Sequence, residues 1–251
     1  MSPMKHRPVA FGLLSLSCLV IGWEAAVRVG WFNPFFTSQP SAIAAALAAQ
    51  ASTGELWANL RVSLTELAAG LGLAIVVGVT LGLLAGSFPR LEYALDPFIW
   101  FLYAAPLIAF YPLFVIWFGL GTWTVVAITF LLSVTPITIN TLSGMKNVDA
   151  SLMRAARSFG ARRSDLFLRV ALPASVPLVM AGLRLGVGRA LTGVVIAELF
   201  GATAGLGFSI NYYGALLQTT NMLASLTVVV ALGVILTQSL SAIEARFDSW
   251  R

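Results

Sequence analysis

Side chains able to do acid–base or nucleophilic work are few in this chain. Its 251 residues include one histidine, one cysteine and two lysines. His6 stands in the N-terminal tail and Cys18 in an apolar run, so no Cys–His pair, histidine-based triad or Cys/His metal site can be assembled. A lone cysteine also forms no intrachain disulfide. Neither Lys5 nor Lys146 follows a G-x-x-x-x-G pattern, which removes a phosphate-cradling loop and nucleotide hydrolysis by the chain itself. The carboxylates Glu24, Glu66 and Glu198 fall on different elements, so a converging acid–base pair is not expected and an enzyme is the least supported class.

Polar chemistry is concentrated instead in residues 146–173, which hold eight charges in a chain that is only 10% charged. Asn147 or Asp149 can cap a short helix. Leu152, Ala155, Ala156 and Phe159 follow at i, i+3, i+4 and i+7 and make one apolar face, with Arg154 and Arg157 off it. Gly160 suits the left-handed residue that ends a helix. Ser164 is then expected to cap a second short helix, with Asp165 in its first turn, running to Leu172 before Pro173. A DNA-binding helix-turn-helix shares this outline, but apolar segments begin within a few residues on both sides, so no nucleic-acid partner is expected.

Those segments are the elements that position the loop. Hydrophobic residues make up 59% of the chain, and no Asp, Glu, Lys or Arg occurs at 8–23, 67–89, 97–145 or 199–243. A membrane-spanning helix needs about 20 mostly apolar residues, and backbone in lipid must satisfy its own hydrogen bonds. The expected fold is an all-α integral membrane protein with about six transmembrane helices, near 9–29, 65–88, 97–118, 122–142, 175–199 and 222–243. Lys5-His6-Arg7 ahead of an apolar run imitates a signal peptide, but the reading is an uncleaved first span. With both termini cytoplasmic, Lys5, Arg7, Arg90, Lys146, Arg154, Arg157, Arg162, Arg163, Arg169, Arg246 and Arg251 fall inside and only Arg28 and Arg61 outside. The net charge of +5 is therefore read as positive-inside bias against membrane lipid.

Residues 30–62 form an outer segment that opens with Trp31, Phe32, Pro34 and Phe35, and Ser41 is expected to cap a surface-lying helix over Ala42–Ala51. Gly70, Ala74, Gly78, Gly82 and Gly86 are each four apart and make a smooth stripe for close helix packing, echoed by Gly182 and Gly186. Pro106, Pro112 and Pro136 mark bent helices, and Tyr103, Tyr111, Thr135 and Asn140 near them are candidates for a polar path, set against ordinary interhelical hydrogen bonding. Arg184 and Arg189, the other two candidates for that path, lie within the fifth span, where an arginine costs about 2.5–3.5 kcal/mol and so faces the protein interior. Either attracts an anion, caps carbonyls or pairs with an acid of a facing subunit. Glu198 sits near the outer end beside the flexible Gly201–Gly207 segment and is a candidate outer gate with Gly205 and Gly207.

Ala155-Ala156-x-x-x-Gly160 followed by Leu172-Pro173 resembles the E-A-A-x-x-x-G…L-P loop of permease subunits in binding-protein-dependent ATP-binding-cassette importers. Pro112-Leu-Phe-Val-Ile-Trp-Phe-Gly119-Leu-Gly121, Asn147-Val148-Asp149, Gly182-Leu-Arg184-Leu and Ala197-Glu198-Leu-Phe-Gly201…Gly205-Leu-Gly207 look like the nitrate/sulfonate/taurine branch. The resemblance implies a type I importer fold with cytoplasmic coupling helices: an N-terminal helix and outer connector over 1–57, a permease domain over 58–245 and a cytoplasmic tail over 246–251. It also implies an inner-membrane location, a cytoplasmic ATPase dimer that holds ATP and magnesium, and an extracytoplasmic solute-binding protein, while six spans, too few to enclose a two-sided path, and a glycine ladder that favours close packing make a homodimer the expected state. This chain itself would bind no cofactor. By the same resemblance Asp149, Leu152, Arg154, Ala155, Ala156, Arg157, Phe159, Gly160 and Pro173 belong to the ATPase-coupling loop. Arg154 stands where the family carries an acid. The implied cargo is a small anion of the nitrate, sulfonate or taurine class. A neutral heterocycle such as a thiamine precursor is the first alternative, and a stand-alone secondary transporter the second.

Overall fold

The computed structural model describes residues 6–33 and 35–247, and nearly all of them are helical. Lys5, Pro34 and the tail from 248 to 251 lie outside them. The order is α1 (His6–Arg28), α2 (Pro40–Ser52), α3 (Glu55–Ser87), α4 (Pro89–Ala104), a 3₁₀ turn (Leu107–Phe110), α5 (Tyr111–Phe118) and α6 (Thr122–Lys146). There follow α7 (Ala150–Ser158), α8 (Arg163–Asp165), a π-helical turn (Leu166–Ala171), α9 (Leu172–Gly201), α10 (Leu206–Ala215) and α11 (Thr219–Phe247). Among the described residues, α3, α6, the continuous 163–201 helix and α11 are long and apolar enough to cross a membrane, and the bent pair α4–α5 makes a fifth span. α1 covers the expected first span and exposes Phe11, Leu14, Leu19 and Ile21, as a lipid-facing helix does.

The bundle is organised around α6, the most buried of the spans. Gly70, Gly78, Gly82 and Gly86 of α3 lie against it so closely that a Cβ at Gly70 would stand 2.7 Å from Thr129 and one at Gly82 2.5 Å from Thr141. On the other flank, a Cβ on Gly182 of α9 would stand 2.7 Å from Asn140 Cβ, and one on Gly186 2.7 Å from Ile137 Cδ1. Lipid tails are as apolar as leucine, so helices here gain from dispersion and close approach rather than from escape from water. The α3 stripe is thus spent inside one chain. As an argument for a homodimer, the glycine ladder does not hold.

Three local expectations change. The third span is broken: Ala105 is extended before Pro106, whose ring excludes the preceding residue from helix, and α4 and α5 meet at 89°. Ser41 does not cap α2, because Pro40 already opens that helix and the Ser41 amide and hydroxyl both donate to Glu24, at 3.0 and 2.8 Å. Ser164 lies inside α8 rather than capping it, and the helix runs through Pro173 instead of stopping there. The wide π turn just before Leu172 makes room for the proline ring and its missing donor.

Replacing Gly82 by leucine should destabilise the folded permease by about 1–3 kcal/mol, because α3 and α6 cannot separate cheaply. Gly72, with open space around it, should accept alanine without loss. Thermal unfolding of the purified variants measures both.

Candidate functional site

At one end of the bundle α7 is presented by short loops between α6 and α8. The Asp149 carboxylate accepts the Ser151 amide at 2.7 Å, and hydrogen bonding from Ser151 holds that carboxyl below the usual carboxylate range. At the other end of α7, Gly160 sits at φ +82, its amide donates to the Arg157 carbonyl, and the Ala161 amide donates to the Ala156 carbonyl at 3.1 Å. This is the doubly bonded left-handed stop that the Gly160 position anticipates. The apolar face of α7 does not turn onto its own chain: Leu152 is 52% and Phe159 92% exposed, with Ala155 also exposed and only Met153 and Ala156 half-buried. Arg154 and Arg157 are exposed beside it and make no ion pair among the described residues. Lys146 reaches Glu92 at 2.6 Å, which ties the start of α4 to the end of α6 beneath this helix. Pro173 lies one helical segment away, in the first turn of α9.

At the opposite end Glu198, Gly205 and Gly207 meet in one buried clasp. The Glu198 carboxylate accepts Ser63 Oγ at one oxygen and the Gly207 amide at the other, both at 2.6 Å. The Leu206 amide donates to Ser63 Oγ at 2.9 Å and the Gly205 amide to Asn59 Oδ1 at 2.9 Å. Gly205 has φ +116, and a Cβ at either glycine would overlap Glu198, so neither position tolerates a side chain. The Gly121 amide donates to the Gly201 carbonyl at 2.9 Å, joining the α5–α6 turn to the same end. Nearby, the Tyr213 hydroxyl donates to Glu55 at 2.5 Å, and burial together with that carboxylate pushes the phenol up to about 12.

Glu66 overturns the expectation of scattered carboxylates, because it lies against Glu198 in this clasp. Ser63, Asn59 and Glu66 were not among the expected site residues. The usable signal was their register: Ser63 and Glu66 precede Gly70 on the same helical face as the glycine stripe.

The six candidates for a polar path are not gathered into one site within this chain. Thr135 and Asn140 are turned into α6 packing, with Asn140 Nδ2 donating to the Pro136 carbonyl at 2.8 Å. Tyr103 is exposed, while the Tyr111 hydroxyl is buried over Gly201 without a hydrogen-bond partner. Arg184 pairs with Glu244 of α11, so its acid comes from its own chain. Arg189 is exposed on the α9 face that also carries Leu185, Gly188 and Thr192. A groove of about 480 Å³ opens at the α4–α5 bend, but Phe101, Ala104, Ala105, Pro106, Ala109 and Phe110 line it without a polar side chain.

The taurine transport system permease protein TauC of Escherichia coli (strain K12) is 32% identical over 97% of this chain and 90% of its own length. The formylaminopyrimidine transport permease protein ThiX of Halalkalibacterium halodurans is 30% identical over 98% and 96%. A chain of the inward-facing MetNI methionine ABC transporter superposes with a TM-score of 0.67 at 18% identity, covering 76% of this chain and 96% of that one, which shows the fold. Residues 78–250 match the family of binding-protein-dependent transport system inner membrane components. With a packed bundle of spans, an outward-turned amphipathic helix at one end and these relatives, the chain belongs to that family, as a type I ABC importer permease.

Proposed function

We propose that this permease forms the translocation path for a small anion of the taurine, sulfonate or nitrate class, delivered by an extracytoplasmic binding protein. Hydrolysis of ATP, with its magnesium, belongs to a separate cytoplasmic ATPase dimer, and both termini of the permease lie on that side. The observation that carries the coupling role is the outward-turned face of α7, where Phe159 is 92% exposed on a helix whose own carboxylate cap and glycine stop fix its direction. An aromatic side chain presented in this way fits a groove of a partner subunit. Arg154 lies beside that face, and we assign it a compensating acid in the ATPase groove, since it reverses the charge of the family's acid at this position.

The anion reading rests on the TauC likeness together with Arg189, an exposed guanidinium on the Leu185–Gly188–Thr192 face of a membrane-spanning helix. A charge in that position needs a water-filled path or a second subunit. A homodimer with α9 faces opposed supplies both. The ThiX likeness favours a neutral heterocycle as the competing cargo.

Reconstitution with candidate ATPase and binding-protein partners, assayed for ATP hydrolysis across small anions and pyrimidines, tests the proposal. Stimulation by one anion is expected, and Arg189→Gln should cut anion uptake about tenfold. Stimulation by pyrimidines alone removes the anion reading, and failure to bind any ATPase removes the coupling role.

Phe159→Ala should weaken ATPase association about tenfold, and Arg154→Glu should weaken it comparably. For the cap, Asp149→Asn retains association and Asp149→Ala lowers it. Because the folded carboxyl titrates below its ordinary value, the cap persists at neutral pH and is lost only as pH falls below about 4. Surface-plasmon binding titrations check all of these.

A further inference from the structure

We propose that the Tyr111 phenol is a releasable latch at the clasp end of the bundle, closed here on a notch at Gly201, and that α4 with its corner is the arm it releases. The arm comprises residues 89–110. Leu107 is its single buried residue, so nearly all of its length rests on the surface of the bundle. Its start is tied to α6 by the Glu92–Lys146 pair at 2.6 Å. Its other end runs straight into Tyr111. There the ring lies against the last residue of α9, where a Cβ on Gly201 would overlap the phenol oxygen. Gly201 is also held from beyond the far end of α5, because the Gly121 amide donates to its carbonyl at 2.9 Å. Thr124 Oγ1 donates to the Gly119 carbonyl at 2.6 Å and Phe114 is buried, so α5 and its turn stay on the bundle. One tie to Gly201 is therefore fixed backbone, and the other is a side chain at the root of a loosely held arm.

Opposing interactions make the second tie reversible. In the notch the Tyr111 ring gains dispersion contacts with the buried cluster that includes Phe114 and Val194, and it lies 6.0 Å from the Phe200 ring. Its hydroxyl is buried in the same place without a hydrogen-bond partner, which is costly. Water supplies that partner once the side chain swings out. Ring and hydroxyl thus pull in opposite directions, the condition for two states of similar free energy. A side chain kept for packing alone would do better as phenylalanine. Gly201 has a matching role. It sits in ordinary helical backbone, so its missing side chain admits the phenol rather than serving a turn. The groove of about 480 Å³ beside the latch is lined by Phe101, Ala104, Ala105, Pro106, Ala109 and Phe110, all on the arm. Lifting the arm therefore reshapes that space while α3, α6 and α9 stay in place.

The latch belongs to the proposed translocation path, but its test needs neither ATPase nor solute, so a wrong cargo leaves it standing. Full-length permease in lipid nanodiscs, in a Cys18→Ser background and diluted with unlabelled chains, carries spin labels at Phe98 and Thr203, both exposed positions. Pulsed electron resonance on the wild type is expected to give two distances, a short one for the latched arm and a long one for the lifted arm. Tyr111→Phe removes the unpaired hydroxyl, so the short-to-long ratio should rise about tenfold and the unfolding temperature should not fall. Gly201→Ala should empty the short component, and adding Tyr111→Leu, which withdraws the phenol, should bring it back. One unchanged distance across the wild type and both single variants overturns the proposal, as does a Tyr111→Phe variant that unfolds below the wild type. If Gly201→Ala does not accumulate, the Tyr111→Phe ratio decides alone: a rise supports the latch, and no rise overturns it.

Discussion

The contact between α6 and the small-residue stripes on either side of it places everything else in this chain. In lipid no hydrophobic gain holds helices together, so a bundle depends on how closely backbones approach and on what polar groups do inside. α6 meets both demands. Glycines of α3 and α9 let it approach from two sides, and three of its hydroxyls bond back into the helix, with Thr129, Ser133 and Thr138 donating to carbonyls one turn back at 2.8, 2.7 and 2.8 Å. A side chain at Gly82 or Gly182 pushes against backbone and Cβ atoms rather than against a flexible tip, so the arrangement has little give.

Two unlike ends hang on that slab. At one end the chain leaves α6, turns through the Asp149 cap, exposes the apolar face of α7 and returns through a π turn into α9. Whatever presses on Phe159 therefore presses on the beginnings and ends of the packed helices, with the Lys146–Glu92 pair adding α4 to the same base. At the other end α3 and α9 close over the loop that enters α10, and Glu198 is the group through which backbone and helix are joined. α3 is about 50 Å long at 1.5 Å per residue, so these ends face opposite sides of a bilayer about 30 Å thick in its apolar core. A permease needs the two ends linked by something stiff, and the close-packed slab supplies it.

Much of this was legible in the order of residues, and the rest failed for identifiable reasons. Charge-free runs announce the spans and the spacing of Leu152, Ala155, Ala156 and Phe159 announces α7, because both depend on local periodicity. Gly160 likewise declares its left-handed turn. Long-range partners are another matter. Nothing near Arg184 in sequence points to Glu244, and Glu66 lies far from Glu198 along the chain, so their meeting depends on how α3 and α9 flank α6. Thr135 and Asn140 look like path residues because polar side chains in lipid attract that reading, and within this chain each donates to a carbonyl one turn back in α6. Proline was also read too simply: Pro106 breaks its span outright, while Pro173 is absorbed by a π turn.

Close packing makes α3, α6 and α9 one stiff body between the outward face of α7 and the clasp. In a Cys18→Ser background, spin labels at Ser158 and Thr203, both on exposed positions, report the distance between the two ends by pulsed electron resonance. With the partner ATPase bound, one narrow distance is expected, the same with and without ATP, while distances between paired subunits change. A distance within one chain that shifts or broadens on ATP addition would contradict it.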